Sequence, residues 1–289
     1  MIRYEIDFAA LERAIDLEHP TWRARAMASC ARMRAGKPRR FDDSGPSWSD
    51  IKHFYVRLQN HKCAYCERAL EAEDFGLVEH DVEHYRPKCR VTAWVGPTHG
   101  FALGHGNAKG YCMLAYELRN YCAVCKTCNS ARKRDHFPIA GKPGRADARD
   151  IAKLNAREQP LLPYPLGRID DDPETIIKFV GFLPVPAYRS GHRSRRARVT
   201  IDLFALDQRA ELTRGRSMML RALWLTLQAS QSAADEDERR LAREQISNLQ
   251  SGREPHTACA RAFVRLFATN PSVAKAVYAE ACEHLRRTS

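Results

Sequence analysis

The sequence predicts an α+β protein in which a small core held by cysteines lies between two mainly helical regions. Three observations predict it. Two Cys-x-x-Cys pairs, at 63–66 and 125–128, enclose a stretch with short strand-like segments, and apolar residues recur at helical spacing on both sides. We therefore expect a helical N-terminal region over 1–60, a metal-bound core over 61–145, and a mainly helical C-terminal region with a short β-hairpin over 146–289.

The first sixty residues predict three helices. Pro20 ends the first helix and can open the second, which runs through Trp22, Ala26, Met27 and Met33. Ser47 or Ser49 can cap a third helix, which delivers the chain to Cys63. Apolar side chains repeat at nearly helical spacing in the first helix: Phe8, Leu11, Ile15 and Leu17.

Between the cysteine pairs the sequence is strand-like around residues 77–78 and again at 81–82. A Gly-rich stretch over 96–110 follows, and a structureless loop of this length is uncommon inside a compact domain, so we expect it to be functional or mobile. Its Gly-x-Gly pattern lacks the strand–helix context of a dinucleotide-binding loop. Residues 129–133 predict a helix directly after the second cysteine pair.

The C-terminal region predicts a β-hairpin that turns at Gly181, followed by helices from Val199 onwards. The acidic and basic run over 235–240 is typical of a solvated helix face with pairs four residues apart. An apolar series marks the first of these helices: Leu203, Leu206, Leu212, Met218, Met219, Leu223 and Leu227. One face of them can pack as core or dock a partner, and the pattern fits both.

The chain is basic, with 47 Lys and Arg against 35 Asp and Glu, a formal net charge of +12. This surplus indicates either a polyanionic partner such as nucleic acid or simply a basic surface. Met1 does not begin a signal peptide, and no stretch reaches the ~20 apolar residues that a membrane helix needs. We expect a cytoplasmic protein without a membrane partner, whose thiols are reduced and free to bind metal.

The two cysteine pairs predict a structural zinc site formed by Cys63, Cys66, Cys125 and Cys128. Zn²⁺ accepts four thiolates in a tetrahedron, and a two-residue spacer lets both sulfurs of a pair reach one ion. A thioredoxin-like redox site needs one pair at a strand–helix junction, not two distant pairs. Cys122 can in principle replace Cys125. The remaining cysteines are expected to be ordinary thiols: Cys30, Cys89, Cys112, Cys259 and Cys282.

An acid–histidine pair and two asparagines lie near this zinc site in the sequence. His84 suits a general base, because its ordinary pKa lies near neutrality, and His80 is an alternative four residues earlier. Glu83 and Asn129 offer the hard oxygen ligands that Mg²⁺ or Mn²⁺ prefers. Asn120 can fix a loop between strand and helix through its side chain. A helix cap for Asn129 and a plain turn or cap for Asn120 remain open as simpler roles.

The order Cys-x-x-Cys, acid-His, Asn, Cys-x-x-Cys-Asn resembles the HNH endonucleases of the ββα-metal fold. The resemblance implies a zinc-stapled ββα-metal core in which His84 is the general base, and Glu83 and Asn129 hold the catalytic metal ion. The interval from Asn120 to Asn129 matches the family's spacing between its loop-fixing asparagine and its helix ligand. The chain departs from the family twice: Glu83 stands where many members have Asp, and Lys133 stands one helical turn after Asn129 in place of a histidine.

A wider resemblance, over roughly residues 47–216, is to the HNH nuclease subunit of the Septu anti-phage system and its retron-associated relatives. It implies an ATPase partner subunit and an attack on nucleic acid during infection. The residues that carry it are short segments along this range: Cys63-Ala-Tyr-Cys66-Glu67, Glu83-His84-Tyr85-Arg86-Pro87-Lys88, Phe137-Pro138, Pro160-Leu161-Leu162, Asp171-Asp172-Pro173-Glu174 and Thr200-Ile201-Asp202-Leu203.

The leading hypothesis is therefore a metal-dependent endonuclease of an anti-phage defence complex, with DNA favoured as substrate and RNA, including tRNA, as the alternative. Arg86, Lys88, Arg132 and Lys133 flank the site and are expected to contact phosphates. Two other hypotheses remain: a zinc-dependent nucleic-acid-binding module without catalysis, and a scaffold whose helical tail recruits an ATPase.

Overall fold

The computed structural model of the protein describes residues 1–35, 45–70, 80–97, 99–145 and 147–288. It is an α+β structure with two small antiparallel sheets among many helices, as the sequence predicts. The strand expected around residues 77–78 lies outside the described residues. Within the described ranges, no helix combines the length and apolar character needed to span a membrane.

The N-terminal helices form where the apolar spacing predicts them. Helix α1 (Phe8–Glu18) begins at Asp7, whose carboxylate accepts hydrogen bonds from the next backbone N–H groups. Helix α2 (Trp22–Arg34) follows the break at Pro20. Helix α3 (Lys52–Leu58) has no side-chain cap; instead Ser47 Oγ accepts from the Ser49 N–H at 3.1 Å, in the turn that precedes α3.

The first sheet and the helix after it occur in the order strand, strand, helix. Strand β1 (His80–His84) pairs antiparallel with β2 (Tyr121–Cys125), so that Glu83 lies opposite Cys122 and His84 opposite Tyr121. The helix after β2 is a π-helix (Thr127–Lys133) and not an α-helix. At the end of this helix the Arg134 N–H donates to the carbonyl of Asn129, five residues earlier, at 2.7 Å. This spacing is that of a π-helix, whereas an α-helix has bonds to the fourth residue earlier.

The connection between the two strands is long but well anchored. Val91 and Asn107 exchange two backbone hydrogen bonds of 2.7 Å each, which closes the Gly-rich stretch into a loop. Gly110 has φ +56°, and a β-carbon there would lie 2.6 Å from the backbone nitrogen of Arg90. Only glycine fits that position without displacing the neighbouring backbone. The base of this loop is therefore fixed, and whether the loop is functional or mobile stays a prediction.

The C-terminal region begins with helix α4 (Ile151–Glu158) and the short helix α5 (Pro173–Ile176). Strands β3 (Ile177–Val180) and β4 (Leu183–Pro186) then form the predicted hairpin, with Gly181 at φ +59° in the turn. Five helices complete the chain: α6 (Gly191–Phe204), α7 (Ala210–Ser232), α8 (Glu236–Gln250), α9 (Thr257–Thr269) and α10 (Pro271–Arg287).

Most of these elements pack around the two largest of the three hydrophobic clusters in the described part of the chain. The larger core joins α1, α3, the first sheet, the cysteine pairs and α6, and the smaller core packs α7 against α9 and α10. The ring of Tyr65, between Cys63 and Cys66, stacks on Phe204 of α6 with centroids 4.1 Å apart. The first cysteine pair is therefore packed directly against the C-terminal region. The boundaries at residues 60 and 145 remain predictions.

Candidate metal centre and active-site pocket

The four cysteines of the two pairs meet in the structure. Cys63, Cys66, Cys125 and Cys128 are buried, and their sulfur atoms all lie within 4.8 Å of one another. The Cys66 and Cys125 sulfurs are 3.8 Å apart. A tetrahedron with Zn–S bonds of roughly 2.3 Å has S–S edges of about 3.8 Å. This cluster can therefore bind a metal ion such as zinc.

Each cysteine pair is shaped by its own local structure. The first pair sits in a tight turn, in which the Cys63 N–H donates to the Arg68 carbonyl and the Glu67 N–H donates to the Cys63 carbonyl, both at 3.0 Å. In the second pair, Cys125 ends β2 and Cys128 lies in the π-helix. The cluster thus fixes the junction between strand and helix against the first turn.

Cys122 lies outside this cluster. It is opposite Glu83 in the sheet register, and burial, aided by the negative charge of Glu83, raises the pKa of its thiol to about 12. A thiol with so high a pKa stays protonated at neutral pH and is a poor metal ligand. The four sulfurs that converge are those of the predicted set, with Cys125 and without Cys122; which cysteines bind the metal stays a prediction.

Arg209 is a neighbour of the cluster that the sequence did not indicate. This buried guanidinium donates a hydrogen bond to the sulfur of Cys128 at 3.2 Å and another to Glu211 at 2.7 Å. Four thiolates around one Zn²⁺ leave a net charge of −2, which a buried cation partly offsets. Arg209 precedes α7, far along the chain, so no local pattern could have linked it to the cysteines.

A pocket of about 270 Å³ lies beside the cluster and brings together the predicted catalytic residues Glu83, His84 and Asn129. They meet because β1 pairs with β2, and β2 leads directly into the π-helix that carries Asn129. The other lining residues are Val82, Pro87, Lys88, Cys89, Arg90, Arg134 and Asp135.

His84 is held as a neutral base. Its Nε2 lies 3.0 Å from the carbonyl oxygen of Ala115, and since a carbonyl only accepts, Nε2 carries the hydrogen and Nδ1 keeps a lone pair. Burial, reinforced by the charge of Lys88, holds the pKa of His84 well below its ordinary value, against the opposing effect of the Ala115 bond. His80, the alternative base, is buried opposite Cys125 at the other end of β1.

Glu83 forms a buried ion pair with Lys133. The Lys133 ammonium contacts Glu83 Oε1 and donates to the His84 carbonyl at 2.9 Å, and the lysine side chain has no exposed surface. Burial nevertheless leaves the pKa of Glu83 above its ordinary value, although Lys133 lowers it. The expected contact of Lys133 with phosphate is not what this geometry shows, because its ammonium is enclosed between β1 and the π-helix.

Asn129 is oriented by Asp81, which the sequence indicated only as a strand residue. The Asn129 amide nitrogen donates to Asp81 Oδ2 at 2.7 Å, and Lys126 donates to both carboxylate oxygens at 2.7 and 2.9 Å. Because the amide nitrogen is used, the amide oxygen of Asn129 is the atom left to act as a ligand. Asp81 stands two residues before Glu83. Side chains alternate between the two faces of a strand, so this spacing is a signal in the sequence that places both carboxylates on one face of β1.

Asn120 fixes the loop that follows β1. Its side-chain oxygen accepts from the Arg86 N–H at 2.8 Å, while its amide donates to the carbonyls of Arg86 at 3.0 Å and Leu114 at 3.1 Å. The predicted side-chain-to-backbone bonds are present, but the loop they hold lies between the two strands and not between strand and helix. Asn120 therefore holds the backbone at Arg86, two residues after His84, and it does not line the pocket.

The other predicted phosphate contacts have different environments. Arg86 is fully buried; its guanidinium donates to Glu158 at 2.9 Å and to Asn155 at 2.7 Å, so it ties the loop to α4 and is not available to a surface phosphate. Lys88 lines the pocket, with its ammonium 3.7 Å from the centre of the Trp48 ring. Arg132 is exposed and lines a neighbouring groove.

Glu83 and Asn129 bring two oxygen donors to the same pocket. Mg²⁺ is commonly held by one or two carboxylates, with waters and substrate phosphate oxygens completing its shell. Glu83 contributes a carboxylate, of which one oxygen is engaged by Lys133, and Asn129 contributes an amide oxygen at the same pocket. These residues fit a weakly held Mg²⁺ or Mn²⁺ that is completed by the substrate.

Comparison with known proteins gave one informative similarity. No family model and no solved structure matches the chain. The chain is 27% identical over 175 residues to the Septu protein PtuB of Bacillus mycoides (strain KBAB4), an alignment that covers 61% of this chain and 52% of that protein. The chain thus spans about half the length of the curated relative it matches. This similarity supports a relationship between the chain and the Septu proteins.

Proposed function

We propose that the protein is a metal-dependent endonuclease of the HNH type, with a ββα-metal core, which hydrolyses phosphodiester bonds of nucleic acid. One observation carries the proposal: the adjacent residues Glu83 and His84 and the distant Asn129 line a single pocket beside a four-cysteine cluster. Strand, strand and helix also follow one another in the order that the fold requires.

The side chains at the pocket divide the chemistry between them. His84 takes the proton of the attacking water at Nδ1, because Nε2 is committed to the Ala115 carbonyl. A divalent ion held by Glu83 and Asn129 would neutralise charge on the scissile phosphate and on the leaving oxygen. Lys88 lines the same pocket and adds positive charge where the phosphate binds.

Zinc at the four cysteines has a structural role in this proposal. The cluster connects the turn at Cys63 to the end of β2 and to the π-helix, and that helix carries Asn129. A closed four-sulfur site leaves no coordination position for a substrate, so chemistry takes place at the neighbouring pocket.

The biological setting follows from the similarity to the Septu protein PtuB. We propose that the chain is the effector subunit of an anti-phage defence complex and works with an ATPase partner. DNA is the favoured substrate and RNA the alternative, and the net charge of +12 suits either polyanion.

The test is cleavage by a His84→Ala variant. Supercoiled plasmid and RNA are incubated with Mg²⁺ or Mn²⁺, with the chain alone and together with the ATPase from the neighbouring gene. We expect EDTA to abolish cleavage and His84→Ala to lower its rate by about 10² to 10⁴, with zinc content unchanged and the fold retained. The matched control is His105→Ala, an exposed histidine of the connection between β1 and β2, which should cleave normally. Undiminished metal-dependent cleavage by His84→Ala would contradict the proposed base.

A zinc-dependent nucleic-acid-binding module without catalysis is the second candidate. The ion pair of Glu83 with Lys133 favours it, because an ammonium already balances this carboxylate and no metal ion is required to do so. Tight binding to nucleic acid without any nicking, in the presence of the ATPase and either metal ion, would support this candidate over the nuclease.

A further inference from the structure

We propose that a groove beside the His84 pocket binds one unpaired nucleobase of the substrate, so that the protein acts on single-stranded or looped nucleic acid. The inference rests on the proposed nuclease function and names the substrate class of that site. The groove measures about 520 Å³, within the range of small-molecule sites. It is lined by Ala93, Trp94, Val95, Gly96, Pro97, Ala131, Arg132, Arg134, His136, Asp202, Leu203 and Gln208.

The groove, which we call the base groove, adjoins the His84 pocket through Arg134. This residue follows the π-helix and lines both cavities. A phosphate at His84 and its neighbouring base in the groove would therefore lie on either side of one guanidinium. Arg132 and His136 add positive charge or hydrogen-bond donors along the groove, which suits a strand whose backbone passes from one cavity to the other.

Arg134 has an unusual backbone conformation, which indicates a role for its side chain. It has φ +50° and ψ −123°, a combination that glycine adopts easily and that a residue with a β-carbon adopts only at a cost. Its N–H closes the last turn of the π-helix on Asn129. Glycine would adopt this backbone conformation at a lower cost. The presence of an arginine therefore indicates that its guanidinium has a function at this position.

Trp94 supplies the surface on which a base can stack. Its ring is half-buried, with His99 at a centroid distance of 5.8 Å. Gly96 lies so close to the ring that an added β-carbon would approach ring atoms at 2.5 Å. The indole is therefore braced by its own loop while part of it lines the groove. Aromatic side chains in this position bind unstacked bases of any sequence.

Two polar side chains can recognise the edge of that base. Asp202 and Gln208 line the groove, and Asp202 Oδ2 also lies 3.3 Å from Nε2 of His99. A carboxylate accepts hydrogen bonds from an exocyclic amino group, and an amide can both donate and accept. The carboxylate of Asp202 would repel a phosphate group. This part of the groove therefore suits the base of the nucleotide and not its phosphate backbone. We expect bases with an amino group to bind more tightly than uracil or thymine.

The test is binding of fluorescein-labelled oligonucleotides to the full, zinc-loaded chain without added Mg²⁺ or Mn²⁺, measured by fluorescence anisotropy. Single-stranded oligo-adenylate and oligo-cytidylate should bind more tightly than a blunt duplex of equal length. Trp94→Leu should weaken single-strand binding by about 5- to 100-fold and leave duplex binding nearly unchanged, while Trp94→Phe should retain most of the affinity. Arg134→Gly should weaken binding without lowering the melting temperature, since glycine fits the backbone better.

The control for lost charge is Arg286→Ala, on the exposed side of α10, which should change affinity little. Equal binding of duplex and single strands, or unchanged single-strand affinity of Trp94→Leu, would overturn the base groove. Because these measurements need no cleavage, they stand apart from the nuclease assay. If the protein cleaves nucleic acid but Trp94→Leu binds single strands normally, only the base groove is refuted. If Trp94→Leu weakens binding but the protein never cleaves, only the nuclease function is refuted.

Discussion

Lys133 and Glu83 form an ion pair that joins the last residue of the π-helix to β1, with both side chains buried. The same ammonium also donates to the backbone carbonyl of His84. A buried pair of this kind contributes little net stability, but removal of one partner leaves an unpaired charge in the interior. Lys133, which stands where the HNH resemblance has a histidine, therefore makes contacts that fix the positions of Glu83 and His84.

Lys133→Met should destabilise the protein by about 3–5 kcal/mol, because Glu83 is left buried without its partner. The double variant Lys133→Met with Glu83→Gln should recover much of this loss. Urea unfolding of the single and double variants measures the coupling. The control is Lys126→Met, which breaks a half-exposed pair with Asp81 and should cost about 0–1 kcal/mol. An unchanged free energy of unfolding in Lys133→Met would contradict the buried ion pair.

Cys125→Ser should abolish stoichiometric zinc binding, whereas Cys122→Ser should retain it. The two residues are both buried in β2, but only Cys125 contributes its sulfur to the four-cysteine cluster. Zinc per chain is measured by plasma mass spectrometry after gel filtration in the presence of a weak chelator. Because zinc binding also supports folding, the melting temperature of Cys125→Ser should fall as well. Zinc loss from Cys122→Ser with retention in Cys125→Ser would reverse the assignment.

Asn120→Ala should destabilise the protein by about 3 kcal/mol, since three buried hydrogen bonds to Arg86 and Leu114 are lost and their backbone groups are left without partners. Cleavage should fall too, because the loop it holds begins directly after His84. Thermal unfolding and the plasmid assay measure both effects.

Asn270→Ala is the matched control for Asn120→Ala. This exposed asparagine caps α10 through a hydrogen bond from the Val273 N–H at 3.2 Å. Its loss should cost about 1 kcal/mol and leave cleavage intact. Equal effects of the two substitutions on cleavage would show that Asn120 has no positioning role.

Asp81→Ala should raise the concentration of Mn²⁺ needed for half-maximal cleavage by about 10- to 100-fold, the usual cost of removing a group that orients a metal ligand. Asp81 holds the amide nitrogen of Asn129, and without it the amide can turn its nitrogen towards the metal ion. Cleavage rate against metal concentration is the measurement. Asp147→Ala, which removes an exposed carboxylate paired with Arg145, should leave the curve unchanged. An unaltered metal requirement in Asp81→Ala would show that Asp81 does not orient Asn129 for metal binding.

The sequence predicted those features that depend on local spacing. The two Cys-x-x-Cys pairs predicted the four-sulfur cluster, and the apolar periods predicted the helices at both ends. The turn at Gly181 predicted the hairpin, which is confirmed. Glu83 and His84 were singled out because they are adjacent, and the structure places both at one pocket with Asn129.

The misplaced residues have partners that are distant in the chain. Arg86 was expected to contact phosphate because it is cationic and near His84, yet its partner Glu158 is 72 residues later. Lys133 was expected at the surface, although its partner lies 50 residues earlier on β1. Arg209 was missed for the same reason, because its partner Cys128 lies 81 residues earlier. Charge type and local position do not reveal whether a side chain meets solvent or a buried counter-ion.

The most direct test of the central claim is an experimental structure of the His84→Ala variant with Mn²⁺ and a short oligonucleotide, with anomalous scattering used to distinguish manganese from zinc. The account predicts a zinc signal among Cys63, Cys66, Cys125 and Cys128, and a separate manganese signal between Glu83, Asn129 and a phosphate. Manganese bound elsewhere, with no phosphate at the pocket, would contradict the proposed active site.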